Sequence, residues 1–160
     1  MSAHDTETLV RLAYDLYNQR DFARSAELTQ PDAITVMVPT GQEFRGPEGT
    51  VAYLTGWATA FPDSTVEVLN VVAGEDGGAA EFIGRGTHTG PLVTPAGIIP
   101  PTGRRVEFRL CDVWTVRDGK FAGNRNYFDL VTLLGQLGVA PQPAGLDISH
   151  AQIGTPAATS

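Results

Sequence analysis

One cysteine, three histidines and no basic run narrow what this 160-residue chain can do. The lone Cys111 cannot close an internal disulfide and has no metal-ligand spacing around it, so it reads as an inert thiol. His4, His88 and His150 are far apart in sequence, and no metal is expected. Eleven Lys and Arg against eighteen Asp and Glu give a net charge of -7. Without a basic patch to neutralise phosphates, nucleic acid is not an expected partner. No apolar run approaches the roughly 20 residues of a membrane span. The N-terminus MSAHDTETL lacks a basic segment followed by an apolar one, so no signal peptide and a cytoplasmic location are expected. No glycine-rich phosphate cradle leads from a strand into a helix.

What remains is ordinary globular composition, with 42% apolar and 18% charged residues, enough for one domain with a real core. Asp5 can cap a helix running to about Arg20, with Leu9, Leu12, Ala13, Leu16 and Tyr17 as its apolar stripe and Tyr14 on its flank. Asp21 can cap a shorter helix through Leu28, closed by a Gln30-Pro31-Asp32 turn. Ile34–Val38 reads as a short strand, and Gly46-Pro47 opens a third helix that Pro62-Asp63 ends. Strands are predicted over Ser64–Ala73 and Ala79–Thr89, then a proline-rich loop from Gly90 to Arg104. A long strand to Val116 turns at Asp118-Gly119 into a partner over Phe121–Asp129, and Leu130–Leu137 closes as a helix before Gly138. Helices first and a meander after them predict an α+β fold. In it, a curved antiparallel sheet wraps around the N-terminal helices and leaves a conical cavity. The single domain is placed at residues 1–140, with 141–160 as a flexible C-terminal tail.

The segment Arg105–Val116 carries the sharpest chemical clue. It alternates for a dozen residues, placing Val106, Phe108, Leu110, Asp112, Trp114 and Val116 on one face. Asp112 is the one charge on that apolar face. A carboxylate there needs donors or a counter-charge, or its pKa rises into the range where enzymes use it as a proton acceptor. A buried structural carboxylate satisfied by backbone N–H groups or an arginine is the alternative.

The order and spacing of several motifs resemble the SnoaL-like polyketide and ester cyclases of the nuclear transport factor 2-like superfamily. They are Tyr17-Asn18-Gln19-Arg20-Asp21, Phe44-Arg45-Gly46-Pro47-Glu48-Gly49, Phe61-Pro62-Asp63, Gly86-Thr87-His88-Thr89-Gly90-Pro91-Leu92, Pro100-Pro101-Thr102-Gly103-Arg104-Arg105-Val106 and Asp118-Gly119-Lys120. The similarity spans about Leu9 to Gly138. The resemblance implies an α+β fold with a cone-shaped curved antiparallel sheet that encloses a deep apolar pocket, a homodimer, a hydrophobic small-molecule substrate and no cofactor. It also implies ring closure by intramolecular aldol condensation, with an aspartate after the PPTGR-type segment as general acid/base. That position is Asp112. The supporting histidine of those enzymes is expected just before this segment, where the chain has Gly97-Ile98-Ile99 instead. His88 is then the remaining candidate, as donor to a substrate oxygen or as partner of Asp112. Isomerisation, dehydration and plain ligand binding on the same cone stay open.

Tyr17, Trp57, Phe61, Phe108 and Trp114 are the aromatics expected to line the pocket, with ordinary core packing as the competing reading. Asn126 is a candidate polar pocket group, but which face of its strand looks inward depends on the register against the strand of Asp112. Arg85 is expected in an ion pair on the outer or dimer face, and Asp129 as the cap of the closing helix. The proline-rich loop reads as a lid or dimer contact.

Overall fold

Ser2, not Asp5, starts the first helix of the computed structural model, which describes residues 1–139. The Ser2 hydroxyl accepts from the Asp5 N–H and the Asp5 carboxylate accepts from the Ser2 N–H, a reciprocal capping box. This helix, α1, spans Ala3–Gln19 and ends at Arg20, which adopts a left-handed conformation with φ 60°. The Arg20 guanidinium donates to the carbonyls of Tyr17, Pro62 and Ser64, pinning the end of α1 to a distant corner. The tail predicted over 141–160, with His150 in it, lies outside the described residues.

Helix α2 (Phe22–Glu27) is capped by Asp21 as expected. Strand β1 (Thr29–Met37) follows at once, so the turn predicted at Gln30-Pro31-Asp32 is strand instead. Pro31 is tolerated there because the ladder to the neighbouring strand is interrupted between Thr29 and Ile34, where its missing N–H leaves no bond unmade. Strand β2 (Gln42–Arg45) is too short to show a period in the sequence. Helix α3 (Gly46–Ala60) has Pro47 in its first turn. Then come β3 (Thr65–Ala73), β4 (Gly77–Thr87), β5 (Leu92–Thr94) and β6 (Gly97–Ile99). The chain closes with β7 (Arg105–Arg117), β8 (Lys120–Phe128) and α4 (Leu130–Gln136). Part of the predicted 90–104 loop is thus the small β5–β6 hairpin, a sheet of its own.

The main sheet has the order β2-β1-β8-β7-β4-β3. Its strands pair antiparallel except β1 and β8, which run parallel. The expected sheet was antiparallel throughout. Here β1 leaves the helical layer and reaches β8 only after the whole α3–β7 segment has crossed, and such a long crossover permits a parallel pair. The fold is otherwise the expected α+β cone, with α1 against β3 and β4 and α3 against β1 and β2. Val10, Leu16, Phe61, Phe82, Val106, Phe108 and Leu110 are among the buried residues of its core. Among the described residues no helix is long and apolar enough to cross a membrane.

Candidate active site

The alternation of β7 carries through: Val106, Phe108, Leu110, Asp112 and Val116 are buried, Trp114 on the same face is half-buried, and the opposite face is exposed or half-buried. Asp112 stands opposite Ala80 of β4 and Asn126 of β8. Only 4% of it is exposed. Its Oδ1 accepts from Asn126 Nδ2 at 2.7 Å, and its Oδ2 accepts from the Tyr14 hydroxyl at 2.7 Å. The Trp114 indole N–H donates to that same Tyr14 oxygen at 3.1 Å, which turns the phenol proton toward Asp112.

Two opposing effects set the protonation of this carboxyl group. Burial removes water from the anion and raises its pKa; the donors Asn126, Tyr14 and, most weakly, Asn124 stabilise the anion and pull it down. Burial prevails, and the pKa stands at about 6. The Tyr14 phenol is pushed well above its ordinary value, first by burial and then by the Asp112 charge, so it keeps its proton. Asp112 is therefore a group that exchanges a proton near neutrality, beside donors that do not.

Asp112 lies in the wall of a cavity between α1, α3 and the concave face of the sheet. The cavity holds ≈ 1060 Å³ of empty space, open solvent at its mouth included. Of the residues expected around it, Tyr17, Trp57, Phe61, Phe108 and Trp114 all line it. Trp57 is the hub of the aromatic wall, with ring centroids 6.2 Å from Phe61, 6.2 Å from Phe108 and 5.7 Å from Phe128. The Tyr17 hydroxyl is paired with Ser64 at 2.6 Å.

Two expected residues fall elsewhere. Asn126 faces inward and is buried, but it sits behind Asp112 as a donor and does not line the cavity. His88 is wholly buried and does not line the cavity. It comes eight residues after Ala80, the partner of Asp112, which places it roughly 25 Å further along at about 3.3 Å per strand residue. Its Nδ1 accepts from the Thr102 N–H at 3.2 Å and meets the Thr102 hydroxyl at 2.9 Å. Its main chain pairs with Arg104 and Gly103, and its ring packs 5.3 Å from Phe61. His88 therefore fastens the Pro100–Arg104 segment to the end of β4. Burial holds its pKa below the ordinary value. The two glycines that share its face serve different ends. Gly84 borders the cavity, while a Cβ on Gly86 would stand 3.0 Å from Phe61 Cβ, a close approach of two chain segments.

Tyr14, Tyr53 and Asn124 also line the cavity and were not singled out as site residues. Tyr14 carried a usable signal. A buried phenol needs a hydrogen-bond partner, and a buried carboxylate needs a donor. Arg85 is ion-paired with Glu67 at 2.6 Å and Glu107 at 2.8 Å, and Asp129 accepts from the Val131 N–H as the cap of α4. The Cys111 thiol is pushed up by burial and by the Asp112 charge, away from reactivity. Among the described residues no three His, Cys, Asp or Glu side chains are placed to hold a metal ion.

A family model described as SnoaL-like polyketide cyclase matches residues 7–137. Solved structures show the same architecture. IdmH, a candidate polyketide cyclase from Streptomyces antibioticus, is 30% identical over 84% of this chain and 99% of its own, with a TM-score of 0.68. TsrD from Streptomyces laurentii is 27% identical over 87% of this chain and 98% of its own, with a TM-score of 0.74. AclR, a candidate hydroxylase from Streptomyces galilaeus, is 26% identical over 88% of this chain and 89% of its own, with a TM-score of 0.73. No curated protein sequence matches the chain at a significant level.

Proposed function

Because the chain belongs to the SnoaL-like polyketide cyclase family, we propose that it closes a ring in a polyketide-like natural product by an intramolecular aldol-type reaction. One observation carries this reading. A single carboxyl group of pKa about 6 stands in the wall of an aromatic cavity, hydrogen-bonded by Tyr14 and Asn126. As the carboxylate, Asp112 removes a proton α to a carbonyl; the C–H electrons become the enolate double bond and the carbonyl oxygen takes the charge. The enolate carbon then attacks a second carbonyl of the same molecule and forms the C–C bond. The alkoxide so made takes the proton back from Asp112. Nothing is oxidised or reduced, so the chemistry as written calls for no redox cofactor.

The aromatic wall supports a flat, hydrophobic substrate, and exclusion of water keeps Asp112 basic. One observation favours a second reading, in which the protein binds a small molecule without transforming it: both Asp112 oxygens already hold a hydrogen bond. Proton exchange separates the two. In D2O with the aryl ketone 2-acetonaphthone as probe, the protein should catalyse exchange of the methyl hydrogens, and Asp112→Asn should fall to the buffer rate. Exchange that is unaffected by Asp112→Asn sinks the catalytic reading.

A further inference from the structure

The reaction just proposed develops negative charge on a carbonyl oxygen, and that oxygen needs a donor. The donors grouped around Asp112 are already committed. The Tyr14 hydroxyl and Asn126 Nδ2 donate to Asp112, the Trp114 indole donates to Tyr14, and the Tyr17 hydroxyl is paired with Ser64. His88, expected to serve, does not line the cavity.

Tyr53 of α3 is different. It is 9% exposed and lines the cavity. Its ring is fixed edge-on against Phe44, with centroids 5.4 Å apart. The indole of Trp57, one turn further along α3, lies near its hydroxyl, and that N–H can only donate. The phenol's own proton thus finds no acceptor among the described residues. Nor is its oxygen among the buried polar atoms that are both cut off from solvent and unpaired. Tyr53 is also close enough to Asp112 and Tyr14 for their charges to act on one another. Burial raises its pKa well above the ordinary value, so it holds its proton and remains a donor.

We infer that the Tyr53 hydroxyl is the catalytic donor that holds the substrate carbonyl oxygen as it becomes an enolate, with the Trp57 indole orienting it. This rests on the proposed α-deprotonation for its chemistry, but the donor contact itself can be tested without turnover. Tyr53 and Asp112 then act on one bound carbonyl from two sides: the sheet supplies the base and α3 supplies the hydrogen-bond donor. The arrangement selects a substrate whose reacting ketone is flanked by a flat apolar body.

The test uses the full 160-residue chain with 2-acetonaphthone labelled with 13C at the carbonyl. Saturable binding should move the carbonyl resonance downfield, as a donated hydrogen bond does. Tyr53→Phe should bind the ketone but lose that shift, whereas Tyr127→Phe, an exposed tyrosine on the outer face, should keep it. In the exchange assay Tyr53→Phe should slow the rate about 100-fold or more, the usual loss for one oxyanion donor. Thermal melting checks that each variant is folded. A shift that persists in Tyr53→Phe overturns the inference, as does binding to the native protein without a downfield shift, or no saturable binding. If Asp112→Asn keeps native exchange while Tyr53→Phe loses the shift, the base assignment fails and the donor assignment stands.

Discussion

Tyr14 and Asp112 lie 98 residues apart and meet in a 2.7 Å hydrogen bond. That bond joins the first helix to the longest strand and sets the chemistry of the cavity. Without a donor on Oδ2, burial alone would push the Asp112 pKa still higher. With two strong donors and no cation beside it, the group sits near the imidazole end of the span between ordinary carboxylates and imidazole.

The pH profile follows from that tuning. kcat/KM for proton abstraction should fall on the acid side with an apparent pKa of about 6, as Asp112 takes up its proton. A profile flat from pH 5 to 8 would remove Asp112 from the role of base.

Stability should run the opposite way. The folded pKa of about 6 is above the ordinary 3.8, so the native state binds the proton more tightly than the unfolded chain. The contribution of Asp112 to stability is then highest below pH 4 and declines as pH rises to about 6, by roughly 3 kcal/mol in all. Urea unfolding across this window should show that Asp112→Asn flattens the slope relative to the native protein.

Tyr14→Phe removes the donor from Oδ2 and leaves the Trp114 indole without its acceptor. Stability should drop by about 1–3 kcal/mol, and the acid limb of the activity profile should move to higher pH. Trp114→Phe should move it in the same direction by less, since it acts on Asp112 only through Tyr14. Denaturant unfolding and kcat/KM profiles read both effects.

His88→Ala should damage the fold and spare the acid limb. It leaves a cavity beside Phe61 and strips the Thr102 N–H of its acceptor, which should cost about 2–4 kcal/mol. An apparent pKa that moves in this variant at a pH where it remains folded would show that His88 does couple to Asp112.

Local patterns were legible where one stretch of chain suffices. The alternation of Arg105–Val116 put Asp112 on the apolar face, because side chains of a strand point to opposite sides whatever the partner. Asp21, Asp129 and the Asp118-Gly119 turn act through backbone groups two or three residues away, so their roles needed no distant knowledge. The aromatic residues of the wall were readable as apolar faces of their own elements.

Tertiary structure decided everything that joins two elements. Only the pairing of β7 with β8 sets Asn126 against Asp112 and turns Tyr127 outward, since a slip of one residue would reverse both. Only the crossing of α1 over the concave face brings Tyr14, read as the flank of a helix, onto the carboxylate. The position of His88 along a long strand, and not its residue type, keeps it out of the cavity wall and lets it hold the Pro100–Arg104 segment. The alternation along Arg105–Val116 is enough to bury a carboxylate. Which donors reach it, and hence its pKa, depends on contacts between residues remote in the chain that exist only once the cone has closed.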